Sequence, residues 1–111
     1  MPMYIVYLQY TNQQCMIISI KHKGLKLFWT KGDRSKLPPV MMSKIERILV
    51  VIDYLEVVPD DLQDLVFLRP HPLKGDLLDF WSMEVSGNWR IIFKFNNLNG
   101  TAYDLDFIDY H

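Results

Sequence analysis

The sequence has one cysteine, Cys15, so it cannot close a disulfide within the chain. That fits a reducing compartment, and a cytoplasmic location is expected. Past the opening stretch "MPMYIVYLQY" the longest purely apolar run is "ILVVI", far too short to cross a bilayer, and no membrane partner is expected. No Lys or Arg precedes the opening stretch and no small-residue cleavage site follows it, so it does not read as a secretory signal. Phosphate-binding glycine loops, GxSxG, CxxC and HExxH are all absent. His22, His71 and His111 are too widely spaced to make a metal set. Neither a metal nor a cofactor is expected. A net charge of −1 argues against general nucleic-acid binding.

What is present is a single domain's worth of core. The chain has 111 residues, half of them hydrophobic, enough to fold without disulfides. Its charge is unevenly distributed. Residues 21–36 carry six bases (Lys21, Lys23, Lys26, Lys31, Arg34, Lys36) against one acid, and 53–64 carry five acids and no base. A basic segment of that kind can meet phosphate while another surface stays acidic; two solvated helix faces would give the same pattern.

Periodicity supplies the elements. "MYIVYLQY" (3–10) and "MIISI" (16–20) read as strands, separated by the polar break "TNQQ". Leu25, Phe28 and Trp29 fall at i, i+3 and i+4, which predicts a helix ending near Gly32. Ile45, Ile48, Leu49, Ile52 and Leu55 predict a second helix, from Met41 to about Val57, closed by Pro59. After Val66 the period becomes two. "FLRPHPL" starts extended, but the prolines flanking His71 confine it to a sheet edge, an end or a bulge. Strands follow over 79–85, 89–95 and 101–110, joined by the turns "SGN" and "NNLNG". Trp81, Met83 and Val85 share one face, as do Trp89, Ile91, Phe93 and Phe95, and as do Tyr103, Leu105 and Phe107. Arg90, Lys94, Asp104 and Asp106 take the other. The predicted fold class is α+β: two N-terminal helices packed on one face of an antiparallel β-sheet, with the opposite face polar.

The chemistry left to this chain is acid, base and cation. His71 and Lys74 lie in "HPLKG", Arg90 on the polar face, and Tyr110 and His111 end the sequence. Two imidazoles, two cations and a phenol suit cleavage of an RNA phosphodiester: one group takes the 2′-OH proton, another protonates the leaving 5′-oxygen, and the cations hold the phosphate charge. Each has a plainer alternative. Lys74 can be a solvated loop residue, Arg90 can pair with Asp104 or Asp106, and His71 can cap a neighbouring carbonyl. Trp81 and Trp89 read most simply as core aromatics.

"IKHKGLKLFWTKGD" (20–33), "HPLKGDLLDFW" (71–81), "SGNWRIIFKF" (86–95) and "AYDLDFIDYH" (102–111) together resemble the HigB toxins of the RelE/ParE superfamily of type II toxin–antitoxin systems. The resemblance spans Met16 to His111. It implies a RelE-like toxin domain over 16–111, preceded by an extension over 1–15 that is either an added strand or the product of an upstream start codon. It implies a ribosome-dependent endoribonuclease that cuts mRNA in the A site of the small ribosomal subunit by 2′-OH attack, leaving a 2′,3′-cyclic phosphate. The matching active-surface residues are His71, Lys74, Arg90, Asp109, Tyr110 and His111. His111 is expected to transfer a proton, Tyr110 to orient or stack on a base, Lys74 and Arg90 to hold the phosphate, and His71 to shape the cleft or share proton transfer. The expected ribosome or RNA contacts are Lys21, Lys23, Lys26 and Lys94. The partner implied is a HigA-like helix-turn-helix antitoxin, through which alone the toxin would meet operator DNA. A ParE-like gyrase inhibitor on the same fold, or an inactive antitoxin-binding member, is the alternative. The sequence departs from the family at "RPHP", where an apolar residue normally precedes the histidine. The two-residue period, carried through, would turn His111 toward the core, so regular pairing is expected to end or bulge near Ile108 and Asp109, re-aiming His111 toward Lys74 and Arg90.

Overall fold

The structure is a computed structural model that describes residues 16–110. The predicted strand over 3–10 and the terminal His111 lie outside the described residues. Helix α1 spans Lys23–Lys31 and helix α2 spans Met42–Asp53. Four strands follow: β1 (His71–Pro72), β2 (Trp81–Ser86), β3 (Trp89–Asn96) and β4 (Thr101–Asp109). They form one antiparallel sheet in the order β1-β2-β3-β4. The domain is therefore α+β.

Helix α1 is set at both ends by local chemistry. His22 caps its start, with Nδ1 accepting from the Leu25 N–H at 3.1 Å, and Gly32 closes it in the left-handed conformation at φ 74°. Its predicted stripe is the buried one: Leu25 and Phe28 are in the core and Trp29 packs against it. On α2, Ile45, Ile48, Leu49 and Ile52 are buried in the same cluster. These meet Met83, Val85, Ile91, Phe93, Leu105 and Phe107 from one sheet face. Trp81 and Trp89 pack against this core, and Trp89 stacks on Phe107 with ring centroids 4.7 Å apart.

Helix α2 stops about one turn earlier than its periodicity predicts. The residues beyond Asp53 have other hydrogen-bond partners. The N–H groups of Glu56 and Val57 both donate to Asp61 Oδ2, at 2.7 and 2.9 Å. Asn97, from the β3–β4 turn, brackets Val58: its Oδ1 accepts from the Val58 N–H at 2.9 Å and its Nδ2 donates to the Val58 carbonyl at 2.7 Å. With those groups taken, the helical ladder ends, and Leu55 stays buried without being helical.

Three expectations about the sheet need correction. First, 16–20 is not a continuous strand. It runs parallel to β4 and touches it through two isolated bridges, Ile17 to Ala102 and Ile20 to Leu105. Second, β4 ends at Asp109, as one form of the expectation has it, but it does not bulge there: its pairing is regular, with Ile108 opposite Arg90 and Asp109 opposite Trp89. The irregularity is earlier. Ile92 pairs with Asp106 but Lys94 with Tyr103, so Phe93 alone faces Asp104 and Leu105. Asp104 is the extra residue, at φ 56°. This moves Tyr103 off the core face and puts Ala102 there with Leu105 and Phe107. Third, the face away from the helices is not uniformly polar. Leu73, Phe80 and Ile92 are buried on it, with Leu77 and Ile108 packed against them. The loop between β1 and β2 folds back over this face and seats itself with these apolar side chains.

Candidate active site

The face away from the helices holds most of the candidate residues, and the register fixes its layout. Residues opposite one another on antiparallel strands point to the same side. One row crosses the sheet as His71, Ser82, Ile92 and Asp106, and the next as Glu84, Arg90 and Ile108. His71 and Arg90 are two strands and one row apart, roughly 12 Å along the backbone from strand spacing and rise. Ser82 and Ile92, both buried, form the floor between them.

His71 sits on the outermost strand, exposed, between Pro70 and Pro72. Its Nδ1 lies 3.1 Å from the Arg69 carbonyl oxygen. A carbonyl only accepts, so a hydrogen bond here needs the hydrogen on Nδ1, which in the neutral ring leaves the lone pair on Nε2. Arg90 is half-buried. Its Nη1 donates to the carbonyls of Gly87 at 2.6 Å and Trp89 at 3.1 Å, in and beside the β2–β3 turn. It does not pair with Asp104 or Asp106. The Asp104 carboxylate faces Lys94 at 3.8 Å, and the Lys94 ammonium also lies 5.0 Å from the centre of the Phe80 ring.

Lys74 is exposed and immediately precedes the 3₁₀ turn Gly75–Leu77 in the loop that folds over this face. Tyr110 follows β4, and its N–H donates to the Asn88 carbonyl at 2.8 Å, beside the turn that holds Arg90. Alternation from Ile108 brings Tyr110 to the same face as Arg90. Asp109, one position earlier, alternates to the other side. His71 and Arg90 thus share one face of the sheet, with Lys74 in the loop that folds over it and Tyr110 just past the end of β4. Lys21, Lys23 and Lys26 do not join them. They are exposed on and just before α1, whose buried side chains enter the core on the opposite side of the sheet. Among the described residues no three His, Cys, Asp or Glu side chains are grouped to hold a metal, and no helix is long and apolar enough to cross a membrane.

Two residues of this face have no signal in the linear sequence. Arg69 Nε lies 3.0 Å from Glu84 Oε1. Continuing the pairing of His71 with Ser82 by two residues sets Arg69 opposite Glu84, so only the strand register could have revealed them.

A model of HigB-like toxins, described as the RelE-like toxin of the type II toxin–antitoxin system HigB, matches residues 18–111. The chain belongs to the HigB-like toxin family. Among curated proteins, this HigB-like toxin is 44% identical over 96 residues to the Endoribonuclease HigB of Proteus vulgaris, covering 86% of this chain and 100% of that one. Among solved structures, the toxin–antitoxin complex RelBE2 from Mycobacterium tuberculosis shares 17% identity, with 84% of this chain and 96% of that one covered and a TM-score of 0.41. At that distance the likeness adds nothing to the assignment. The HigB-like toxin is thus one half of a toxin–antitoxin pair, and an antitoxin is its partner.

Proposed function

We propose that this toxin is a ribosome-dependent endoribonuclease that cuts mRNA in the A site of the small ribosomal subunit. The observation that carries the reading is the pairing on one sheet face of His71, with Nε2 bare, and Arg90, with its guanidinium steered by a turn. In the reaction the ribose 2′-oxygen attacks the adjacent phosphorus while a base takes its proton. The bond from phosphorus to the 5′-oxygen breaks, an acid protonates that oxygen, and a 2′,3′-cyclic phosphate remains. Arg90 and Lys74 hold the charge that gathers on the phosphate oxygens. His111 transfers a proton, and His71 shares that work from the sheet edge. Tyr110 orients or stacks on a base, and Asp109 belongs to the same terminal "DYH".

Lys94 contributes a cation on the same face, while Lys21, Lys23 and Lys26 meet ribosomal RNA on the helix side. The antitoxin is a HigA-like helix-turn-helix protein, and it alone meets operator DNA. The toxin acts in the cytoplasm. The test is translation in vitro with mRNA, ribosomes and either wild-type protein or His111→Ala. Wild type is expected to cut within a codon on the ribosome, and His111→Ala to lose about 100-fold or more. Message left intact by wild type, or damage to DNA that depends on gyrase, overturns the reading.

A further inference from the structure

We propose that Arg69 and Glu84 are positioning residues that select the reactive tautomer of His71. The inference rests on the reading of His71 as a proton-transfer group and names what aims it.

His71 is badly placed to be held by the sheet. Its strand is two residues long and lies at the sheet edge. Pro70 and Pro72 on either side have no N–H to give to a ladder. The side chain is exposed, so packing does not fix it either. Among the described residues its one side-chain hydrogen bond joins Nδ1 to the Arg69 carbonyl. The ring orientation therefore depends on where that carbonyl points.

The carbonyl points where it does because Arg69 adopts the left-handed conformation, at φ 50° and ψ 54°. A non-glycine residue does so at a steric cost, and the proline that follows restricts Arg69 further. The backbone is held by the Arg69 N–H, which donates to the Val66 carbonyl at 3.0 Å, and the guanidinium adds a tether, with Nε 3.0 Å from Glu84 Oε1. The two partners are unlike in mobility. The Arg69 side chain is 77% exposed and Glu84 only 27%, and Glu84 stands on β2, paired on its far side to Arg90 in β3. Glu84 is the fixed post and Arg69 the tether.

The chemical consequence is a choice of nitrogen. A neutral histidine in water favours the hydrogen on Nε2. Here the Arg69 carbonyl claims a hydrogen on Nδ1, so Nε2 keeps the lone pair and is the atom that can accept a proton. The pair also spares Arg90. Glu84 stands opposite Arg90 in the register, yet its carboxylate is engaged by Arg69, and Arg90 is oriented by the turn carbonyls instead.

An exposed ion pair adds little to stability, so a merely structural role predicts almost no effect on anything. A positioning role predicts a specific one. Long-range nitrogen–proton correlation NMR on the free, ¹⁵N-labelled full chain reads the tautomer, with His71→Asn used to assign the signals. In wild type His71 is expected as the Nδ1–H form once it is neutral. In Glu84→Gln and Arg69→Gln it shifts toward the Nε2–H form, while Arg69→Lys, which keeps a cation opposite Glu84, stays nearer wild type. Cleavage on ribosomes falls about tenfold in the two Gln variants with the unfolding midpoint unchanged. An Nε2–H form in wild type, or no tautomer change in either Gln variant, overturns the assignment. The NMR reading needs no ribosome, so a toxin that cuts nothing but shows these tautomers overturns the catalytic reading and leaves the positioning intact.

Discussion

Ser19 closes the bulge that Asp104 opens. The Asp104 N–H, left without a partner on β3 by the extra residue, donates to Ser19 Oγ at 2.8 Å, and that hydroxyl lies 3.4 Å from Asp104 Oδ1. Ser19→Ala removes the acceptor from this N–H. A loss of about 1 kcal/mol in unfolding free energy is expected by urea titration. A variant as stable as wild type would mean that water serves the amide equally well.

Ser82 is buried on the face away from the helices, opposite His71, and its Oγ has no hydrogen-bond partner among the described residues. An unpaired buried hydroxyl costs free energy. Ser82→Ala is therefore expected to leave stability unchanged or raise it by about 1 kcal/mol, with cleavage retained. A clear drop in the denaturation midpoint would show that the hydroxyl is satisfied after all.

Asp61 predicts a pH dependence. The N–H groups of Val57 and Glu56 hold its carboxyl below the ordinary value of 3.8. The group is depressed in the folded state, so its contribution is present above 3.8 and lost as pH falls through the lower folded value. Thermal midpoints taken from about pH 5 down to about pH 2 should fall less steeply in Asp61→Asn than in wild type. Parallel curves would remove Asp61 from the acid response.

In the proposed reaction Arg90 divides its donors between turn carbonyls and substrate. Lysine keeps the charge but has no fork to serve both. Arg90→Lys should cut mRNA at least tenfold more slowly while unfolding within about 1 kcal/mol of wild type. Equal rates would reduce Arg90 to a simple charge.

Much of this architecture is legible in the linear sequence. Leu25, Phe28 and Trp29 mark one helix face, Gly32 its end, and "SGN" and "NNLNG" the two hairpins. These signals are local, and local rules decide them. What is not legible is decided by distant partners. The end of α2 depends on Asn97, whose side chain reaches Val58 from a turn 39 residues away. The phase of β4 depends on Ser19, 85 residues before Asp104. The apolar seat under the "HPLKG" loop depends on Leu73 and Phe80 meeting Ile92, which only the folded register brings about. The candidate site follows the same division. His71, Lys74, Arg90 and Tyr110 stand out as residue types in motifs, whereas Arg69 and Glu84 become visible only as neighbours across strands.

The prolines around His71 have a second consequence. An outermost strand with free N–H groups is a template on which another chain can add a strand and begin to aggregate. Here the outermost strand is two residues long, is half proline, and follows another proline, so it offers a stranger almost nothing to pair with. Among the described residues this rim of the sheet can therefore stay open without inviting copies of the toxin to polymerise there.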